Sequence, residues 1–205
     1  MKSSMKGNDC MKQIRTGVFE TNSSSVHSIC ISKNDDIVKQ PEIFFSFGQY
    51  GWEQGTLYTC NEKAAYLWTA IIECFGYGDR IPKVKGYRAK ITEMLNSEGI
   101  QCGFAKYEIK KSSYDNKNYC DIDGYIDHGG ETRKFVEAVV SDKDRLLRYL
   151  FSPDSVVYTG NDNECDNDSY EKEFVADEYM WDDNDNEVLN PHHDEEKYEY
   201  FEKGN

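Results

Sequence analysis

Three clusters of polar side chains in this 205-residue chain have the types and spacing to do chemistry. The first is Glu20-Thr21-Asn22-Ser23-Ser24-Ser25-Val26-His27-Ser28, small hydroxyl and amide side chains leading to a histidine. Hydroxyls and an imidazole so arranged can hold a phosphate, or act as nucleophile and base. The second, Gly124-Tyr125-Ile126-Asp127-His128-Gly129-Gly130, sets an Asp-His pair beside a glycine turn, where it could ligate a metal or orient a general base. The third, Thr159-Gly160-Asn161-Asp162-Asn163, offers amides and a carboxylate to a ligand. Each has a plainer reading. Ser, Asn and Asp favour turns because they bond to nearby backbone, and His27 shares strand parity with Ile29 and Ile31, so it can point inward and be satisfied there. Sharper signatures are missing: there is no P-loop, no G-x-G-x-x-G, no G-x-S-x-G, no H-E-x-x-H and no zinc spacing. His192-His193, beside Asp194, reads as a solvated pair.

The elements that must position these clusters are strands and helices without a regular βαβ repeat. Val26–Ser32, Ile43–Phe47 and Thr56–Cys60 read as strands separated by glycine-bearing turns. The clearest helix is Glu62–Phe75, where Ala64, Leu67, Trp68, Ile71, Ile72 and Phe75 form one apolar stripe, with Asn61 as N-cap and Gly76 as stop. Lys83–Ser97 is predicted as a second helix with Val84, Tyr87, Ile91, Met94 and Leu95 inward. Phe104–Lys110 alternates as a strand, Lys111–Asn118 reads as a polar loop and Ile122–Ile126 as another strand. Arg133–Val140 is helical, Ser141 caps a helix through Phe151 with Asp144 completing a capping box, and Val156–Tyr158 closes as a strand. The expected fold is α+β: a mixed or antiparallel sheet packed by three to four helices.

Charge divides the chain at Gly160. Residues 1–160 carry 21 basic and 21 acidic side chains, whereas residues 161–205 carry 17 acidic side chains and 3 lysines, so the net charge of −14 resides in the last 45 residues. The expected organisation is a leader at 1–12, one α+β domain at 13–160 and an acidic C-terminal segment at 161–205. Blocks of like charge are usually solvated tails. This one also carries Tyr170, Phe174, Tyr179, Trp181, Tyr198, Tyr200 and Phe201, which are costly to leave in water, so part of it is expected to dock. Glu173–Met180 reads as a short strand and Glu195–Lys203 as a closing helix or strand. Asp162, Glu164, Asp166, Asp168 and Glu173 partly follow the spacing of a calcium loop, but Asn167 stands where that loop needs glycine. No apolar run is long enough to span a membrane, and the first 30 residues contain no apolar signal core. Seven scattered cysteines without a C-x-x-C point to reduced thiols in a cytoplasm.

The run Arg15-Thr16-Gly17-Val18-Phe19-Glu20-Thr21-Asn22-Ser23-Ser24-Ser25-Val26-His27-Ser28 resembles the opening of a family of uncharacterised proteins of phages and Gram-positive bacteria. The resemblance continues through Gly51-Trp52-Glu53, Tyr66-Leu67-Trp68-Thr69-Ala70, Gly124-Tyr125-Ile126-Asp127-His128 and Tyr149-Leu150-Phe151 to Thr159-Gly160-Asn161-Asp162-Asn163, and so covers residues 11–163. It implies a start at Met11 and a cytoplasmic accessory protein of a phage or mobile element, and carries no activity.

Two functions of different class follow. The first is an anti-CRISPR-like inhibitor whose acidic segment mimics nucleic acid and binds a basic nucleic-acid-binding protein such as a host defence nuclease. Its contacts would be Asn22, Ser24, Asn161, Asp162, Asp166, Asp168, Tyr179, Trp181, Asp182, Asp183 and Asp185, with no cofactor, no direct nucleic acid and no membrane. The alternative is a small hydrolase or phosphoryl-handling enzyme using His27, Asp127, His128 and Asp162, with Ser23–Ser25 on the substrate and a divalent metal as cofactor.

Overall fold

Thirteen of the sixteen residues of helix α1 (Cys60–Phe75) are buried, among them Tyr66, Trp68 and Lys63. A helix apolar on nearly every side has to be wrapped by other elements. In the computed structural model, which describes residues 25–51, 55–127, 132–161, 179–181 and 186–203, the other elements are arranged around it. The fold is α+β: among the described residues, four helices pack with a four-stranded antiparallel sheet and several two-stranded pairings. No helix of the described residues is long and apolar enough to cross a membrane.

The four-stranded sheet has the order β12 (Tyr198–Lys203), β1 (Ser25–Ser32), β9 (Val156–Asn161), β4 (Gly55–Leu57), every pairing antiparallel. Ile29, Ile31 and Val157 face the helices, as the alternation in β1 requires. On the other face Cys30, Val156 and Tyr158 pack with Tyr198 and Tyr200, so β1 is buried on both sides. β12 belongs to the acidic segment, and β9 runs through Asn161. The division drawn at Gly160 therefore does not separate a body from an appendage: the end of the chain completes the main sheet. Arg145 of helix α4 (Lys143–Phe151) reinforces it, its Nε lying 2.7 Å from Glu199 Oε2.

Helix α1 begins two residues before the expected start. Thr59, not Asn61, is the N-cap: its hydroxyl accepts from the Glu62 N–H at 3.3 Å, and Glu62 Oε2 accepts from the Thr59 N–H at 2.9 Å. This reciprocal capping box ends the preceding strand at Leu57 rather than Cys60. Gly76 closes the helix as expected, donating its N–H to the Ile72 carbonyl. Helix α2 (Ile81–Asn96) takes Pro82 into its first turn, where a missing N–H costs nothing, and buries Ile81, Val84, Ile91, Met94 and Leu95. Helix α3 (Arg133–Ser141) precedes α4, whose N-cap is Asp142, accepting from the Arg145 N–H at 3.0 Å. Ser141 is instead the last residue of α3, its hydroxyl donating to the Ala138 carbonyl.

β2 (Glu42–Phe45) pairs in parallel with β5 (Gln101–Phe104), burying Ile43 and Phe45 and leaving Phe44 53% exposed. β3 (Gln49–Tyr50) pairs in parallel with β8 (Tyr125–Ile126). The strand expected over Phe104–Lys110 is two strands: β5 ends at Phe104, and β6 (Glu108–Lys111) turns back into a hairpin with β7 (Asn118–Asp121). Neither face of that hairpin is covered by another sheet, which leaves Ile109 51% exposed despite its alternation. The strand expected over Ile122–Ile126 shrinks to β8, because the pairing with β6 ends at Asp121.

Lys63 is the buried cation of this core. Its Nζ donates to the carbonyls of Ser152 and Ser155 at 2.8 and 2.9 Å, where α4 leaves orphan acceptors. Burial pushes its pKa down to about 8, which still leaves it protonated at neutral pH. Lys63→Met removes the charge but strands both carbonyls, and is expected to lower unfolding stability by roughly 2 kcal/mol or more in urea titrations. At the surface Glu98 ties the end of α2 to the start of α4, its oxygens 2.8 Å from Lys39 Nζ and 2.5 Å from Lys143 Nζ. Hydrogen bonds from these two ammonium groups hold its pKa near about 2, against an ordinary 4.5. A depressed carboxylate stabilises above its unfolded pKa and stops doing so as pH falls through the folded one. The advantage of the parent over Glu98→Gln should therefore be constant above pH 4.5 and vanish on acidification toward pH 2. An advantage that persisted at pH 2 would refute the assignment.

Candidate functional site

The three polar clusters do come together where the structure describes them. His27 lies on β1 directly opposite Thr159 of β9, and Gly55 of β4 pairs with Thr159 from the other side. His27 Nε2 is 3.1 Å from the carbonyl oxygen of Asp127, just past β8. A carbonyl only accepts, so Nε2 carries the hydrogen. The Asp127 N–H in turn donates to the Tyr50 carbonyl at 2.9 Å. The backbone of one residue thus links the β3–β8 pair to the four-stranded sheet.

Aromatic rings close over this junction. Tyr66 of α1 has its ring centroid 6.0 Å from that of His27, 5.1 Å from Tyr50 and 6.0 Å from Phe135. Burial pushes the Tyr66 phenol well above its ordinary pKa, and burial together with the charge of Glu62 pushes Tyr50 to about 12. Both remain neutral across the physiological range. The Tyr66 hydroxyl, buried in this cluster, makes no hydrogen bond among the described residues. His27 itself is 0% exposed. A ring sealed from solvent, with its Nε2–H engaged by a backbone carbonyl, fastens β1 to the β8 end and is poorly placed to take a proton from a substrate. The inward, satisfied reading of this histidine is the one the geometry favours.

Of the other residues expected at a site, Asn22, Ser23, Ser24, His128, Asp162, Asp166, Asp168, Asp182, Asp183 and Asp185 lie outside the described residues, as does the calcium-like spacing from Asp162 to Glu173. Asn161 ends β9 opposite Ser25. Among the described residues no group of His, Cys, Asp and Glu is placed to hold a metal ion. The described cysteines are free thiols, and burial pushes Cys30 up to about 12, far from a thiolate nucleophile.

The acidic segment has a definite local architecture in its described part. β10 (Tyr179–Trp181) and β11 (Glu187–Leu189) form an antiparallel hairpin, with Tyr179 opposite Leu189 and Trp181 opposite Glu187. Between the last paired residues the sequence reads Asp182-Asp183-Asn184-Asp185-Asn186, placing three carboxylates in one connection. Val188 and Leu189 are 36% and 47% exposed. Immediately afterwards Asn190 is 0% exposed, its carbonyl accepting from the His193 N–H across a short 3-10 turn, Pro191–His193. His193 is not the solvated residue expected from the sequence, because its ring lies 4.1 Å from that of Tyr200. Tyr200 donates its hydroxyl to Ser28 Oγ at 3.0 Å. The base of the hairpin is thereby fixed to the main sheet through β12, while its apolar pair stays in water. The strand expected over Glu173–Met180 is described from Tyr179 onward, and Glu195–Lys203 forms β12 from Tyr198 onward.

Two features went unread in the sequence. One is Lys63, hidden among apolar neighbours in α1. The other is a set of exposed cations on α2, whose spacing at 83, 85, 88 and 90 was the available signal. A scan against protein-family models, a search of curated proteins and a search of solved structures each return no match.

If His27 is a structural tie, His27→Ala should lower unfolding stability by about 2–4 kcal/mol, from lost packing plus an orphaned carbonyl. A variant within about 0.5 kcal/mol of the parent in urea titration would sink that role.

Proposed function

We propose that this chain is a binding protein of the accessory, inhibitor type, and that the acidic hairpin β10–β11 with its carboxylate-rich connection engages a basic surface of a nucleic-acid-handling enzyme, such as a host defence nuclease. The observation that carries this reading is the pairing of opposites in one small element. Val188 and Leu189 stand exposed next to three sequential Asp residues, on a hairpin whose base is buried at Asn190. Interfaces draw their affinity from a few apolar anchors and their on-rate and specificity from complementary charge at the rim. The anchored base supports the same reading, since a binding element held in place beforehand loses less entropy on association. The resemblance to phage and Gram-positive bacterial proteins supplies the setting: a cytoplasmic protein of a phage or mobile element.

The test uses the full chain, because cutting at Gly160 would also remove β12 and bare the edge of β1. Parent, Asp182→Asn/Asp183→Asn/Asp185→Asn and Val188→Ser/Leu189→Ser would each be immobilised and exposed to a Gram-positive host lysate at about 50 and about 200 mM salt. The expected result is a nucleic-acid-handling enzyme retained by the parent at low salt, released at high salt, and lost from both variants. The same proteins recovered by all three would overturn the reading.

A further inference from the structure

The even charge balance of residues 1–160 conceals a strongly polarised surface. Residues 80–117 hold 9 basic and 4 acidic side chains, a net of +5, and run from the turn before α2 through β5 and β6 to the connection between β6 and β7. Arg80, Lys83, Lys85, Arg88 and Lys90 follow one another along the turn before α2 and its first half, none of them in an ion pair among the described residues. Lys106 and Lys111, on the chain that crosses beside the helix, are likewise unpaired, whereas Lys110 and Lys117 are met by Asp121 and Asp115. Unpaired cations repel one another, and a surface that gathers them is suited to an anion.

Two grooves run through this surface. One, of about 710 Å³, lies between the outer face of α2 and residues 106–109, where Lys85, Arg88 and Lys106, against the single carboxylate of Glu93, line it together with Asn96 and Tyr107. The other, of about 630 Å³, lies between the turn at Tyr77–Arg80 and the β6–β7 hairpin, with Lys111 and Lys117 beside Asn116 and Asn118. Two features fix the chemistry further. The Arg88 guanidinium sits 5.2 Å from the centre of the Phe104 ring, which holds it in place against the helix. At the tip of the β6–β7 hairpin, between Lys111 and Lys117, Tyr114 is 98% exposed, the most exposed of the large apolar or aromatic side chains described. Folding gains nothing from an aromatic ring held in water.

We infer that the outer face of α2, together with the β6–β7 hairpin, is a binding surface for single-stranded nucleic acid. Cations track the sugar–phosphate chain, the Asn side-chain amides donate to its oxygens, and Tyr114 offers a face on which a base stacks whatever its sequence. Lys85 and Arg88 stand about 4.5 Å apart along the axis of α2 on the side that faces the groove, with Lys106 across it, so that neighbouring phosphates can be met together. An acidic peptide would meet the cations but leave the ring at the hairpin tip without a planar partner. The expectation of no direct nucleic acid rested on the acidic C-terminal segment, which holds the net charge of −14. That sum does not govern contact: at physiological salt charges farther than about 8 Å are largely screened, and the acidic excess sits after Gly160 on other elements.

The experiment is fluorescence anisotropy of the full chain with labelled oligo(dT) and oligo(U) of about 16 nucleotides at about 50 mM salt. Binding is expected to weaken steeply with added salt. Lys85→Glu/Lys106→Glu should reduce affinity at least tenfold and flatten the salt dependence, while Tyr114→Ala should reduce affinity about five- to hundred-fold. All three side chains are exposed or line an open groove, so urea midpoints of the variants should match the parent. No binding at low salt, or equal binding by the charge-reversed variant, would overturn the inference. Competition by poly-glutamate as effective as unlabelled oligonucleotide, with Tyr114→Ala unchanged, would overturn it in favour of an acidic peptide site. The Asp182→Asn/Asp183→Asn/Asp185→Asn variant should still bind the oligonucleotides, so the inference stands or falls apart from the reading of the acidic hairpin.

Discussion

Every other element of this protein answers to one constraint, the burial of helix α1 on nearly all its sides. A helix with a single apolar stripe needs one neighbour; α1 needs several, and it receives β2 and β5, α2, α3, α4 and the inner face of the main sheet. Trp68 donates its indole N–H to the Ala105 carbonyl, Tyr149 donates its hydroxyl to the Lys63 carbonyl, and Lys63 reaches the turn after α4. Each of these polar contacts satisfies a buried group that apolar packing alone would have left stranded. Helix and wrapping elements are thus joined by hydrogen bonds as well as by area, which specifies where α4 and the β5 end must sit.

The second consequence concerns β1. With helices on one face and Tyr158, Tyr198 and Tyr200 on the other, this strand is interior, and an interior strand needs partners along both edges. β9 fills one edge and β12, from the very end of the chain, fills the other. The end of the acidic segment is therefore returned to the body by a strand pairing and by the edge-to-face contact of Phe201 with Phe135, at 5.8 Å between ring centres. That return explains Tyr198, Tyr200 and Phe201, aromatic residues unusual in so acidic a stretch.

Local patterns in the sequence reached some of this and stopped where a partner distant in sequence decides. The apolar spacing of α1 and α2 is legible because burial follows helical period directly. The parity of His27 with Ile29 and Ile31 correctly points the ring inward, but its acceptor lies one hundred residues away on Asp127, and no local rule supplies it. The alternation over Phe104–Lys110 shows which side chains would share a face, not whether anything covers that face; the chain leaves β2 after Ala105, and Ile109 ends in water. The caps were recoverable. Thr59-x-x-Glu62 is the capping-box spacing, and Asp142 stands next to the serine first expected to cap α4.

Charge shows the same difficulty in another form. Summed over 160 residues it is zero, because 21 carboxylates scattered from Asp9 to Asp154 cancel 21 lysines and arginines on paper. They do not cancel in space: Glu98 and Asp121 are engaged with particular lysines, while Lys85, Arg88 and Lys106 gather along one groove. The acidic excess, by contrast, follows Gly160 in the sequence, and its last strand, β12, joins the main sheet. The cations of the α2 groove and the carboxylates of β12 thus sit on different elements. Separation of sign, more than the net value, is what the fold imposes on this chain.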